Sequence, residues 1–287
     1  MEISKEILSN LKDSGKDIGI YSKTFSTYMY DYNPLSFSNF SARSYYYWIK
    51  NKRPIPTSII LKIMNDKKID KISIDYLSIS GGNKIIPPDE NNIYFYYILG
   101  LIAGDGCLVH AKRGLKNNTY SIRISFQYIG EARLIKKIVD NMFNINSSIY
   151  FSSGCYALCI YSKPLVLILN KKYDLPLGLK YSLLKVPDIV FQNNERARAF
   201  IKGVFDSDGN IYIHRSSMAV QIRQKSINFL KELRDLLNKL NVNFREPYYD
   251  KANNSWVLWS SKKELVDNFI NKIIEFKPRC GPIAQPG

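Results

Sequence analysis

The feature that most constrains this chain is a stretch it contains twice. Ile98-Leu-Gly-Leu-Ile-Ala-Gly-Asp-Gly106 and Ile201-Lys-Gly-Val-Phe-Asp-Ser-Asp-Gly209 share Ile at the first position, small residues at the third and seventh, and a closing Asp-Gly. A similar order of apolar runs and turns follows each copy. Self-similarity on this scale points to two related halves of one architecture. Any fold must therefore give both copies equivalent surroundings.

The rest of the chain sets the class. Its 287 residues, 45% apolar and 13% aromatic, are enough for two domains with a real core. The net charge of +16 is spread along the chain instead of sitting in a tail. That distribution suits a broad polyanion-binding surface with nucleic acid as the leading partner, solubility alone being the alternative. Cys107, Cys155, Cys159 and Cys280 are too few and scattered for a disulfide framework, and with only two His the Cys155/Cys159 pair does not make a zinc site. Reduced cysteines, no cleavable signal, and a longest apolar run (Ile93 to Ala103) well short of the roughly 20 residues that span a bilayer predict a soluble, cytoplasmic protein without a membrane partner.

Residues 1–83 read as a small, mainly α domain. Ile3, Ile7, Leu8 and Leu11 give Glu2–Lys12 a helical period. Ser41–Lys50 reads as a second helix that buries Tyr45, Trp48 and Ile49, and Pro54 and Pro56 stop it. Thr57 then caps a helix through Met64. The run from Tyr47 to Pro56, followed by Ile-Leu-Lys-Ile63, resembles the recognition-helix region of phage-repressor-type helix-turn-helix domains. That resemblance implies a helix in the major groove, with Arg43, Lys50, Lys52 and Arg53 as DNA contacts. A plain helical packing module with a basic loop is the alternative. Gly81-Gly82-Asn83 and Pro87-Pro88 mark a boundary.

Residues 84–190 and 191–277 each run as helix, hairpin, helix, hairpin, helix. Ile122, Ile124 and Phe126 alternate with Arg123, Ser125 and Gln127, and Ile211 and Ile213 alternate with Asn210, Tyr212 and His214. Leu134, Ile138 and Met142 set the apolar face of Gly130–Asn144, and Arg245–Tyr249 pairs with Ser255–Ser260. The last residues, 278–287, carry no periodicity and are expected to be disordered.

Gly100 and Gly104, and Gly203 and Ser207, give each motif helix a side-chain-poor stripe along which the two can approach closely. Gly106 and Gly209 suit the left-handed turn that ends a helix. Asp105 and Asp208 break a local rule, because a carboxylate at a helix C-terminus opposes the macrodipole. Two carboxylates brought together beneath a basic surface make a divalent-metal site. Mg²⁺ takes carboxylate, water and phosphate oxygens, and two ions about 4 Å apart serve phosphodiester hydrolysis.

At these residues the chain resembles the LAGLIDADG homing endonucleases in their single-chain, two-motif form. The resemblance implies an α+β fold of two pseudo-symmetric αββαββα halves, packed through the motif helices, whose saddle-shaped sheets lie on a long duplex site. It implies a monomer that cuts both DNA strands with Mg²⁺, Mn²⁺ being able to substitute. Asp105 and Asp208, with Gly104 and Ser207 just before them, form the implied metal set. The family's basic residue near each metal falls at Lys180 and, more loosely, at Lys277. Its polar residue at the end of the second strand falls near Gln127 and near Gln224 or Lys225. The earlier Asp of the motif is present as Asp206 but is Ala103 in the first copy.

If the apolar faces pack on the helices, then Arg123, Ser125, Gln127, Asn210, Tyr212, His214, Gln221, Arg223 and Lys225 face DNA, with Arg and Gln suited to base edges and Lys to phosphate. The halves differ there, so an asymmetric target is expected. An RNA maturase acting on intron RNA and a DNA-binding regulator with an idle nuclease site are the competing readings.

Overall fold

A computed structural model describes residues 1–12, 18–30, 41–79, 84–113, 117–181 and 183–276. The Gly81–Asn83 boundary, Lys277 and the tail at 278–287 lie outside the described residues. In chain order the N-terminal domain holds β1 (Glu2–Ser4), α1 (Lys5–Lys12), β2 (Ile18–Tyr21), α2 (Lys23–Met29), α3 (Ala42–Ile49), β3 (Ile55–Pro56), α4 (Thr57–Asp66), β4 (Lys71–Ser73) and β5 (Tyr76–Ile79). The first half holds α5 (Ile93–Ala103), β6 (Gly106–Arg113), β7 (Asn117–Phe126), α6 (Ile129–Phe143), β8 (Ser148–Ser152), β9 (Cys155–Tyr161) and α7 (Lys163–Lys172). A 3₁₀ turn (Asp188–Gln192) leads to α8 (Asn194–Asp208), β10 (Gly209–His214), β11 (Ser217–Gln224), α9 (Ile227–Lys239), β12 (Tyr248–Asp250), β13 (Ser255–Ser260), α10 (Lys263–Phe269) and a closing π turn (Ile270–Ile274).

The two halves repeat strand order as well as element order: β6-β7-β9-β8 in one, β10-β11-β13-β12 in the other, all antiparallel. Register agrees too, since Gly106 pairs with Ile124 and Ile124 with Leu158, while Gly209 pairs with Ile222 and Ile222 with Leu258. Ile122, Ile124, Leu158 and Ile160 are buried in the first half, and Val220, Ile222 and Leu258 in the second. The alternate residues stand on the other face of each sheet, because strand side chains alternate. Polar caps fix where the helices begin. Ser162, Asn193 and Ser226 each accept a hydrogen bond from the first turn of α7, α8 and α9.

Several sequence expectations need correction. The N-terminal domain carries five short strands in two small sheets, so Ile3 belongs to β1 and not to a helix. Thr57 does not cap α4; it is the helix's first residue, and its hydroxyl donates to the Ile18 carbonyl. The buried face of α6 is Ala132, Ile135, Val139 and Phe143, and Leu134 is 61% exposed. The strand expected at Arg245–Tyr249 is confined to Tyr248–Asp250.

The N-terminal segment is tied to the first half by hydrogen bonds: Leu77 and Ile85 bridge, and Lys172, which pairs with Glu90 at 2.6 Å, donates to the Glu2 carbonyl at 2.9 Å.

Candidate active site

The site is built where α5 and α8 meet. A Cβ on Gly100 would lie 2.2 Å from the Phe200 carbonyl oxygen and 2.9 Å from the Val204 nitrogen. A Cβ on Gly203 would lie 2.2 Å from the Tyr97 carbonyl oxygen and 2.9 Å from the Leu101 nitrogen. The two contacts are reciprocal, as a two-fold axis between the halves requires. One turn on, a Cβ on Gly104 would be 1.7 Å from Ser207 Oγ and 3.0 Å from Asp208 Oδ2. The structure thus brings Gly100 against Gly203 and Gly104 against Ser207, and it places the Asp208 carboxylate beside that second contact. Ser207 turns its hydroxyl back onto the Gly203 and Val204 carbonyls.

Gly106 and Gly209 have a different role from the one expected of them. Neither has positive φ; Gly209 is extended (φ −100°, ψ 159°), and both open strands. What they provide is space, since a Cβ on Gly106 would lie 2.5 Å from Ile102 Cα and one on Gly209 would lie 2.1 Å from the Phe205 ring.

Asp105 follows the end of α5 and Asp208 is the last residue of α8. Burial, then the neighbouring Asp105 charge, pushes the Asp208 carboxyl up to about 7, with Lys180 and a hydrogen bond from Gln224 acting in the opposite direction. Asp105 is more exposed; desolvation still raises its carboxyl, and Lys180 offsets part of the rise. The Lys180 ammonium donates to the carbonyls of Ala103 and Gly106, both at 2.8 Å, and to that of Gly104. It covers the carbonyl end of α5, a favourable place for a cation, and its charge reaches both aspartates. Burial depresses its pKa while the two carboxylates raise it.

The polar residue of the second half is resolved by register. Gln224 Nε2 donates to Asp208 Oδ2, whereas Lys225 is exposed and lies 4.7 Å from the Tyr181 ring. By the matched pairing of the halves, Gln224 corresponds to Phe126 and Lys225 to Gln127. No amide therefore holds Asp105 from the Phe126 position. Instead Asp105, Ser125, Gln127, Glu131, Asp206 and Ser207 line one cavity of about 320 Å³. Asp206 accepts a hydrogen bond from Tyr97 at 2.9 Å and pairs with Lys202 at 3.3 Å. Gln224's reach and the partnership of Tyr97 are features that sequence spacing does not single out.

The sheet faces hold the remaining residues. Arg123, Ser125 and Gln127 are exposed at the first. On the second, Asn210, Tyr212, His214 and Gln221 share one face, but Arg223 is occupied, paired with Asp250 at 2.5 Å and close to Ser255. In the N-terminal domain α4 is largely buried, and Trp48 anchors α3. Arg43, Lys50, Lys52 and Arg53 are exposed, with the Arg43 and Arg53 guanidiniums 5.8 and 4.7 Å from the Tyr47 ring. Among the described residues no group of three or more His, Cys, Asp or Glu is placed to hold a metal, and no helix is long and apolar enough to cross a membrane.

Residues 195–273 match a family described as a LAGLIDADG-like domain. Elongation factor 2 of Methanopyrus kandleri is 26% identical over 233 residues, 79% of this chain but 17% of that protein. The ribonucleoside-diphosphate reductase NrdEB subunit alpha of Bacillus subtilis is 26% identical over 200 residues, 63% of this chain and 18% of that protein. The chain spans less than a fifth of the length of either. The crystal structure of I-DmoI in complex with DNA and Mn is 23% identical, has a TM-score of 0.52, and covers 66% of this chain and 99% of its own. A variant of I-DmoI with its target DNA and Mn is 22% identical, with a TM-score of 0.54 over 68% of this chain and all of its own. The resemblance carried by the two motifs stands: the chain has the fold of the homing endonuclease I-DmoI, with a LAGLIDADG-like domain in its second half.

Proposed function

We propose that this protein is a site-specific DNA endonuclease that cuts both strands of a long, asymmetric duplex, with Mg²⁺ held by Asp105 and Asp208 and Mn²⁺ able to replace it. The observation that carries the reading is the pair of aspartates at the meeting ends of α5 and α8, where burial and mutual repulsion make Asp208 hard to ionise. Packing two helices does not require this. A local rule broken twice at one point marks a place where function outweighs stability. The donor set fits a hard cation: two carboxylates, with no third acidic, His or Cys ligand grouped with them among the described residues, leave the shell to water and phosphate oxygens, as Mg²⁺ prefers. Complexes of I-DmoI with DNA and with Mn, Mg or Ca support both the partner and the ion.

The bound ion would supply positive charge at the scissile phosphate and activate the attacking water. The chain's own residues do the remainder. Gln224 orients the Asp208 carboxylate, and Lys180 keeps a positive charge beside both aspartates, where negative charge develops during hydrolysis. The sheet faces set the register of the duplex, and the exposed basic residues around α3 extend the contact onto flanking DNA. The two curated relatives are named for unrelated activities and share only a small part of their length with this chain. That supports a module carried by different hosts, as a mobile element would be.

The test is incubation with a randomised DNA library and Mg²⁺, comparing the wild type with Asp105→Asn and Asp208→Asn. Cleavage by the wild type that either variant abolishes supports the assignment. Equal products from all three proteins would sink it.

A further inference from the structure

We infer that the open face of the second sheet recognises its part of the DNA through thymine 5-methyl groups, read by Tyr212, His214 and Trp259, whereas the first sheet reads by hydrogen bonds. This rests on the duplex lying along the sheets, as proposed above. Pairing sets the three rings on one face: Asn210 is opposite Gln221 and Gln221 opposite Trp259, while Tyr212 is opposite Ala219 and His214 opposite Ser217. The His214 and Trp259 rings meet edge to face at 5.5 Å, and those of Tyr212 and His214 at 6.4 Å. Ala219 is fully buried.

Two of the three rings spend their polar atoms within the patch. Trp259 Nε1 donates to Tyr212 Oη at 3.0 Å, and Tyr212 Oη reaches Gln221 Oε1 at 3.4 Å. An indole has a single donor, so Trp259 has none left for a base. Arg223, the residue on this face best suited to a guanine, is held by Asp250 and Ser255. What Tyr212 and Trp259 offer a duplex is therefore ring surface, beside the exposed Asn210 amide and backed by a chain of charge +16 that attracts the phosphates.

The first sheet lacks this three-ring cluster, although the exposed Tyr161 stands on its open face opposite Ser121. At the positions matching Tyr212, His214 and Trp259 it carries Val109, Ala111 and Cys159, so no ring stands there. At the position of Gln221 it carries the exposed Arg123. Thymine is the base that shows a methyl group in the major groove, and apolar contact is how a protein reads it.

The experiment selects duplexes from a randomised library for binding to the full Asp208→Asn chain in Mg²⁺, then remakes the selected sites with deoxyuridine in place of thymidine, one half at a time. Replacement in the half read by the second sheet should weaken binding about fourfold for each methyl lost. Replacement in the other half should leave affinity unchanged. Trp259→Ala should narrow the gap between thymidine and deoxyuridine sites in that half, identifying it, and Trp259→Phe, which keeps an apolar ring, should restore the gap. Selected sites without thymine under that sheet, equal affinity of the parent for both sites, or discrimination that Trp259→Ala leaves undiminished would each overturn the inference. If no duplex binds, it falls together with the endonuclease reading. If the wild type cuts nothing while the thymidine preference holds, only the endonuclease reading is lost.

Discussion

Replacing Asp208 with asparagine should stabilise the metal-free protein at neutral pH while destroying its activity, because the free energy cost of the site is concentrated in that carboxylate. In the folded chain it titrates at about 7, raised by burial and by Asp105. An unfolded aspartate titrates near ~3.9. Between those values the folded state binds the proton more tightly than the unfolded state, so this residue's contribution to stability is complete below the window and is lost as pH rises through it. About three units at roughly 1.4 kcal/mol each set an upper bound of about 4 kcal/mol. The asparagine side chain carries no charge and keeps an oxygen to accept from Gln224. Urea unfolding in a chelator should therefore show the Asp208→Asn variant more stable than wild type by about 2–4 kcal/mol at pH 8, the gap shrinking below about 1 kcal/mol near pH 4.5. In thermal melts the gap at pH 8 corresponds to about 5–10 °C. Adding Mg²⁺ at pH 8 should raise the wild type by its binding free energy and leave the variant almost unmoved. Parallel pH profiles for the two proteins, or a variant less stable than wild type at pH 8, would refute the reasoning.

Lys180→Met should reduce plasmid cleavage by about 100-fold, the order found for removing a preorganised electrostatic group. It should also lower the unfolding midpoint, since the carbonyls of Ala103, Gly104 and Gly106 lose their donor. Gly100→Ala should cost about 3 kcal/mol in urea unfolding, because the new methyl meets backbone atoms of α8 that cannot swing aside. Binding to the selected DNA should weaken by about 10³- to 10⁵-fold between roughly 50 and 200 mM salt if 6–10 phosphates are neutralised. A titration that is flat in salt would contradict the basic surface.

What the sequence reveals of this site follows from which contacts are made by backbone. Gly100 and Gly203 can be read in advance because only glycine permits carbonyl-to-Cα approach between helices, and the repeat shows the same exception twice. Gln224 and Lys225 cannot be separated in advance, because shifting a strand by one residue moves every side chain to the other face. Only the pairing of Gly209 with Ile222 settles which of them meets Asp208. The ring cluster of Tyr212, His214 and Trp259 needs strands far apart in sequence to be side by side. In the N-terminal domain the two-residue β3 and three-residue β1 are too short to show alternation, so the helices alone are legible there. The Gly106 and Gly209 requirement is legible as glycine, but its cause is a crowded helix end and not left-handed backbone.

The unequal motif copies have a packing explanation that can be tested. By the two-fold axis, the pair Tyr97 and Asp206 on one side corresponds to Phe200 and Ala103 on the other. Tyr97 donates to Asp206, so an aspartate facing a tyrosine in one copy is matched by an alanine facing a phenylalanine in the other. The hydrogen bond is present or absent as a unit, which explains why Ala103 is tolerated so near Asp105. Tyr97→Phe leaves Asp206 its Lys202 partner alone among the described residues and should cost about 1 kcal/mol. Asp206→Ala takes the acceptor from the hydroxyl of half-buried Tyr97 and should cost a similar amount. The double variant reproduces the apolar pairing of the other side and should be less destabilised than the sum of the two, by about 1 kcal/mol of coupling in a double-mutant cycle. It should also keep most of its cleavage, in contrast to Asp208→Asn. Additive costs, or loss of cutting as complete as that caused by Asp208→Asn, would show that Asp206 serves the chemistry and not the interface.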